Sequence, residues 1–380
     1  MISDLEISTF RKIERIGLQE LGRFNLIVGK NNSGKTSILE AAALGLSGGL
    51  ERDILSIART RDSRSNVVFS GATYLADIVS WMFPASAQGF WDVDFSGKIG
   101  IQLKVKDDIY SLHMVSNRAY HERDQTLLQY EEFSRSPSHL RGVEVISRAY
   151  RKTPEDSQPK EFRTTHFQLG DKKSDRSALS SVNLGKTILP YEYITPYSHR
   201  NSNNSERYVD RLIDDAERED LVKLLQSIDG DVLDISSAPY SRESHSRGGR
   251  AVVTTKAGKL IPLSVMGDGF RRICELGFAL HFSRGGVLFI DEIEAGFHIG
   301  MLKKVYLWLT RQAKNLGVQI IATSHSLEAI QALVDVTPQD TRNDNLRAYS
   351  IGLDRSFGRI RHFYGDELYS LVSESGLDIR

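Results

Sequence analysis

An α/β fold built on a phosphate-binding loop is predicted by three observations. Gly29-Lys30-Asn31-Asn32-Ser33-Gly34-Lys35-Thr36 matches G-x-x-x-x-G-K-[ST]. The apolar run Val287-Leu288-Phe289-Ile290 ends in Asp291-Glu292. A second such run, Val318-Gln319-Ile320-Ile321-Ala322, follows after a helical pattern over Gly300–Leu316. Buried apolar strands alternating with helices are the mark of a parallel sheet.

The elements read in order as follows. Residues 1–50 spell strand, turn, strand, loop and helix. Phe24–Val28 is the buried strand before the loop, and Ser37–Leu44 is the helix after it. Residues 51–265 form a polar, mixed middle zone. Within it Ser96–Val115 reads as a hairpin, because Ile99, Ile101, Leu103 and Val105 alternate before Lys106-Asp107-Asp108. About 134–181 is rich in Ser, Arg, Lys and Asp, holds Pro137, Pro154 and Pro159, lacks heptads, and is expected to be a mobile insertion or lid. Tyr191–Ile194 is a strand. Glu206–Ile228 is an amphipathic helix with Val209, Leu212, Ile213, Ala216, Leu221, Leu224 and Leu225 on one stripe. Ala251–Leu263 is a hairpin turning at Lys256–Lys259. In residues 266–380 the α/β pattern resumes, and strands at Leu346–Leu353 and Gly358–Tyr364 and a helix at Asp366–Ser375 finish it. In the helix at Gly300–Leu316, Met301, Leu302, Val305, Trp308 and Leu309 form a core stripe.

Composition narrows the class. The chain has 380 residues, 40% hydrophobic and 26% charged, an ordinary globular balance. Lys+Arg and Asp+Glu number 49 each, so bulk charge gives no attraction to nucleic acid. The single Cys274 excludes an internal disulfide and a cysteine zinc cluster, and fits a reducing cytoplasm. No apolar run has membrane-spanning length. The opening Met1-Ile2-Ser3-Asp4-Leu5-Glu6 lacks the pattern of a signal peptide.

The motifs carry the chemistry. Around the loop, Gly29, Asn31, Asn32, Ser33, Gly34, Lys35, Thr36 and Ser37 are the expected nucleotide-binding residues. The glycines let backbone N–H groups curl round a polyphosphate, and the helix N-terminus adds partial positive charge. Lys35 would reach the β- and γ-phosphates of ATP, and Thr36 would hold Mg²⁺. Asp291 and Glu292 close a strand at the edge where ligands bind in open α/β sheets. This is a Walker B pattern: Asp291 on the Mg²⁺ shell, Glu292 as general base for the attacking water. His325, after the next strand, is placed to read the γ-phosphate. Upstream, Ser264, Gly267 and Gly269 precede a helix. They are a second phosphate-binding arrangement or a plain turn with Asp268 as N-cap.

The order loop, glycine helix start, Walker B, His strand resembles the ABC-superfamily ATPases of the RecF/SMC/OLD branch. Within it the chain resembles the small OLD-like AAA-family ATPases of bacterial anti-phage defence. The matching pieces are Phe10-Arg11-Lys12, Gly29–Thr36, Pro262-Leu263-Ser264-Val265-Met266-Gly267-Asp268-Gly269, Leu288–Glu292 with Ile293-Glu294-Ala295-Gly296-Phe297-His298, and Thr323-Ser324-His325-Ser326. The match is firm over 1–50 and 260–335 and loose between. The resemblance implies an ATPase head: a P-loop α/β core, an antiparallel β subdomain and an inserted helical or lid region. It also implies a homodimer or higher oligomer that sandwiches two ATP molecules between heads. Ser264, Gly267 and Gly269 would then touch the γ-phosphate of the partner's ATP. Glu294 would lie in the D-loop, and His325 would be the switch histidine. The sequence departs from the transporter signature Ser-Gly-Gly-Gln, and no Q-loop glutamine stands out.

Absences narrow the function further. Membrane-domain attachment and heptad arms are missing, and the residues after His325 are too few for a TOPRIM domain. Asp92-Val93-Asp94 reads as strand and Asp229-Gly230-Asp231 as a glycine turn rather than as metal sites. Three classes compete. The first is an ATPase regulating a separately encoded effector, a TOPRIM or HNH nuclease-like chain. The second is a RecF-like repair ATPase on DNA. The third is a nucleotide-binding scaffold. Residues 135–176 hold ten Lys/Arg against six Asp/Glu, and Arg242, Arg247 and Arg250 add a second basic stretch. A solvated loop explains both as well as DNA does.

Overall fold

The computed structural model describes residues 1–61, 72–84, 96–122, 139–169, 185–200, 215–239, 249–352 and 360–380. The structure is α/β, with a parallel core and an antiparallel sheet packed on opposite sides of one helix. The core sheet has the order β15-β14-β3-β13-β12-β8. Its members are β3 (Phe24–Gly29), β8 (Tyr191–Ile194), β12 (Val287–Ile290), β13 (Gln319–Ser324), β14 (Leu346–Ile351) and β15 (Ile360–Tyr364). All neighbours are parallel except β14 and β15.

The unbroken apolar runs seen in the sequence have a simple cause: both faces of this sheet are covered. Leu26, Val28, Leu288, Ile290, Ile320 and Ala322 point into one core. That core is shared with α4 (Asp215–Gln226), α5 (Asp268–Phe282), α6 (Ile299–Asn315) and α7 (Leu327–Val336). Ile27, Val287, Phe289 and Ile321 point the other way, onto α1 (Lys35–Ser47). Each full burial of a Leu, Ile, Val or Phe among these contributes about 1.5–3 kcal/mol.

Helix α1 has no solvent face. Every residue of it except Thr36 is buried. Its small residues, Ala41-Ala42-Ala43 and Gly45, let a second sheet close over it. A Cβ on Gly45 would stand 2.9 Å from Leu103 Cδ1. That second sheet runs β2-β1-β4-β5-β6-β7 and is antiparallel throughout. It comprises β1 (Ile2–Phe10), β2 (Ile13–Leu18), β4 (Ser96–Val105), β5 (Asp108–Glu122), β6 (His139–Lys152) and β7 (Lys160–Leu169). Helices α2 (Glu51–Arg59) and α3 (Ala72–Ser80) pack beside α1 on the same core. A third small sheet joins β9 (Val232–Pro239), β10 (Gly249–Thr255) and β11 (Leu260–Pro262).

Most elements fall where periodicity placed them; three readings differ, and one helix is described only in part. The expected mobile insertion at 134–181 is, over residues 139–169, two long strands. Val143, Val145, Ala149, Phe167 and Leu169 alternate inward and are buried, while Glu144, Arg148, His166 and Gln168 alternate outward. Bulk composition counted the outward face and missed the period of two. Residues 123–138 and 170–184 lie outside the described residues. The helix expected at Glu206–Ile228 is described from Asp215 to Gln226, with Leu221, Leu224 and Leu225 buried; 206–214 lie outside. The terminal helix splits into α9 (Gly365–Tyr369), which follows the short α8 (Arg342–Asn345), and a π-helical turn at Ser370–Glu374. Finally, Asp268 is not an N-cap. Gly267 caps α5, and Asp268 is its first helical residue. The Asp268 carboxylate accepts from Arg200 Nε at 3.0 Å and from Arg271.

Candidate functional site

Three parallel strands, β3, β13 and β12, end on one edge, so the residues just past them meet. Past β3 the chain turns through Gly29 at φ 154°, Asn32 at φ 62° and Gly34 at φ 94°. Gly29 is required twice over: by its backbone angle, and because a Cβ there would lie 2.7 Å from the Ile351 carbonyl oxygen. Gly34 caps α1 without any side-chain acceptor, which leaves the leading N–H groups of the helix aimed into the loop. Ser33 Oγ is buried and has no partner. Asn31 and Asn32 are exposed. Lys35 Nζ donates to the carbonyls of Gly29 at 2.7 Å and Lys30 at 2.9 Å. Burial holds its pKa below the usual lysine value, opposed by Asp291, Glu292 and Glu294. The loop therefore brings together a helix N-terminus, an unpartnered buried hydroxyl and a partly desolvated ammonium, which fits a polyphosphate.

Thr36 Oγ1 donates to Asp291 at 3.0 Å, so helix α1 and strand β12 share one hydrogen bond at the rim of the cradle. Asp291 also accepts from Thr323 Oγ1 at 2.6 Å. Hydroxyl and carboxylate oxygens together are a hard donor set of the kind Mg²⁺ takes. Thr323 serves twice, because the same Oγ1 accepts the N–H of Glu292 at 2.8 Å. Glu292 holds a left-handed φ of 48°, uncommon for a non-glycine residue. Burial raises the Glu292 pKa above the carboxylate norm; His325 and Lys35 oppose that, while Asp291 and Glu294 add to it.

His325 follows β13. Its Nδ1 lies 3.2 Å from Glu294 Oε1 and 3.9 Å from Glu292 Oε1. Its N–H donates to Glu294 at 3.0 Å. Ser326, which caps α7 by accepting the Ala329 N–H at 3.1 Å, fixes where the histidine turn ends. Ser37 Oγ faces away, accepting from Arg61 Nη2 at 2.9 Å. Behind it the buried Glu40 carboxylate is held by Arg11 at 2.8 Å and Arg61 at 2.7 Å.

The structure thus brings Gly29, Asn31–Thr36, Asp291, Glu292 and His325 to one edge. It does not bring Ser264, Gly267 and Gly269 there. Ser264 lies in the short turn before α5, and Gly267 and Gly269 at its start; α5 packs over β8, three strand spacings of about 4.8 Å from β3. Ser264 and Gly267 are exposed, and Gly269 stands against the Gly296 carbonyl. Sequence reading gave no role to Thr323, Arg272 or Glu40. A threonine ending the strand beside Walker B was the available signal for the first; the other two needed the packing. Asp229 Oδ1 accepts the N–H of Asp231 at 3.0 Å, a turn. Asp92, Asp94, Arg242 and Arg247 lie outside the described residues. Among the described residues no helix is long and apolar enough to cross a membrane.

Several known proteins are similar to this chain. An "ATP/GTP phosphatase" of Helicobacter pylori is 27% identical over 121 residues, 31% of this chain and 33% of that protein. An uncharacterized protein of Methanocaldococcus jannaschii is 36% identical over 70 residues, 18% of this chain and 61% of its own. The chain therefore spans about a third and about three fifths of the lengths of these two relatives. Among solved structures, an SMC head bound to the C-winged helix domain of ScpA aligns at TM-score 0.47 and 14% identity, over 96% of this chain and 97% of that one. A Pyrococcus furiosus SMC head domain with an extended coiled coil, bound to the C-terminal domain of ScpA, aligns at 0.47 and 12%, over 99% of each. The family described as "AAA domain, putative AbiEii toxin, Type IV TA system" matches residues 24–331, from the strand before the cradle to the helix after His325. That is well over half of the chain, and the protein belongs to this family.

Proposed function

We propose that the protein is a Mg²⁺-dependent, ABC-type ATPase whose heads pair around ATP and regulate a separately encoded effector. The observation that carries the reading is the hydrogen-bonded bridge Thr36–Asp291–Thr323–Glu292, which holds together the oxygens that would face the metal and the carboxylate that would act as base. Bound Mg²⁺ would neutralise charge on the β- and γ-phosphates. Thr36 and Asp291 would hold it. Lys35 would exchange its carbonyl partners for phosphate oxygens, a charge-assisted bond. Glu292, ionised, would take a proton from the attacking water, and His325 would hold the γ-phosphate side of the pocket. The relative named as an ATP/GTP phosphatase supports the chemistry.

Pairing of heads rests on the separation of Ser264, Gly267 and Gly269 from their own cradle, and on the exposure of Ser264 and Gly267. The effector would be a TOPRIM or HNH nuclease-like chain in anti-phage defence. A family description that names a toxin of a TA system supports a protein working with a second component. Purified chain with ATP and Mg²⁺ should turn over, scatter light as a dimer or larger assembly, and cut no DNA alone. Absence of turnover overturns the ATPase reading. A strict monomer with ATP bound overturns pairing. Tight, salt-dependent DNA binding by the chain alone would favour the RecF-like alternative.

A further inference from the structure

We infer that Arg272 is a positioning residue that sets the aim of Glu292 through the Asp291–Glu292 peptide, and that it does so from the helix meant to face the partner's nucleotide. The inference rests on the ATPase reading above and assigns a new residue to that site.

Arg272 is fully buried. Its Nη1 donates to the Thr195 carbonyl at 2.5 Å and to Glu275 Oε2 at 3.0 Å. Its Nη2 donates to the carbonyl of Asp291 at 3.4 Å. Glu292 gives its N–H to Thr323 Oγ1 at 2.8 Å. One peptide unit, joining the two Walker B carboxylates, is therefore gripped on its C=O by Arg272 and on its N–H by Thr323. The grip falls where it is needed. Glu292 sits at φ 48°, a conformation that persists only when its surroundings over-determine it. Ile293 N–H to the Thr323 carbonyl, at 3.0 Å, fixes the next unit.

A buried Arg–Glu pair is a poor stability device, since desolvation offsets most of the attraction. Its use here is geometric. Arg272 lies about one and a half helical turns from Gly267, the N-cap of α5. A Cβ on Gly296, in the D-loop segment, would stand 3.6 Å from Arg272 Cβ. The side chain thus joins the start of α5, the turn after β8 and the end of β12. A shift of α5 when its N-terminus engages a phosphate is transmitted to the carbonyl that orients the base.

The test pairs Arg272→Met with Glu275→Gln, so that no unpaired charge stays buried, and sets it beside Arg272→Lys. ATP affinity, read by calorimetry, should stay within about threefold, while kcat falls on the order of 10- to 100-fold, the cost of a misplaced group. Arg272→Lys, which keeps a cation for Glu275 but not the fork, should fall between. Added to Glu292→Gln, the double change should cost little more, because both act on one base. If the Met/Gln protein does not fold, the Lys variant carries the same comparison. A folded variant with wild-type kcat, or a loss fully additive with Glu292→Gln, overturns the inference and leaves the ATPase reading standing. A wild type without turnover overturns both.

Discussion

Thr36 and Asp291 are 255 positions apart in the chain and share a hydrogen bond of 3.0 Å. That contact is the meeting of the two motifs on which the functional reading depends, and it follows from β3 and β12 being parallel members of one sheet with β13 between them. The consequences are measurable.

Lys35→Ala should abolish nucleotide binding. The ammonium is the strongest donor in the cradle, and its present partners are two loop carbonyls that offer phosphate nothing. Calorimetric titration with ATP and Mg²⁺ measures it; wild-type affinity in the variant would contradict the assignment.

Glu292→Gln should bind ATP and turn over on the order of 10²–10⁴-fold more slowly, the usual cost of losing a general base. Steady-state phosphate release together with a binding titration separates the two effects. Unchanged hydrolysis would remove Glu292 from the mechanism.

The acid limb of turnover should lie above the ordinary glutamate range. Burial raises the Glu292 pKa, and a base must be ionised, so kcat falls as pH drops through that raised value. His325 is the largest influence lowering it, so His325→Ala should move the limb to still higher pH. A profile of kcat against pH at saturating ATP decides the sign; a limb that stays or moves down speaks against the pairing.

Mixing Lys35→Ala chains with Gly267→Asp chains should restore turnover that neither has alone, since each heterodimer keeps one intact composite site. Gly267 suits this test because a Cβ there meets nothing within 4 Å, so the added carboxylate repels phosphate without disturbing the chain's own fold. Gly269→Asp would instead press on the Gly296 carbonyl, 3.0 Å from the new Cβ. No recovery on mixing would mean that the glycines do not serve a partner.

Glu40→Ala should destabilise the fold by about 3–5 kcal/mol, the cost of leaving the mostly buried Arg11 charge without its partner, while the exposed Arg61 turns to solvent. The carboxylate is fully buried and binds Arg11 and Arg61, tying the β1–β2 turn and the end of α2 to α1. Urea unfolding, with the slope checked, measures the change; a loss below about 1 kcal/mol would show that the cluster is not a tie.

Much of this protein was written locally. The cradle takes glycine at positions 29 and 34 for backbone angles set within a few residues, Gly29 also for the approach of the distant Ile351 carbonyl, so G-x-x-x-x-G-K-T announces itself. The parallel strands were legible because a sheet covered on both faces demands unbroken apolar runs. Strands β6 and β7 were masked by their polar outward face, which dominates composition although the inward face is apolar.

The sequence by itself determined the α/β class, the loop, the carboxylate pair and the histidine, because each is specified by neighbours along the chain. Only the tertiary structure decided how they work together. Strand order placed Thr36 against Asp291, and put the glycines of α5 on the far side of β12. Packing brought Glu40 between two arginines, and carried Arg272 to the carbonyl of Asp291. Such contacts join residues far apart in the chain, and their partners are chosen by which faces bury each other. No local pattern records that choice.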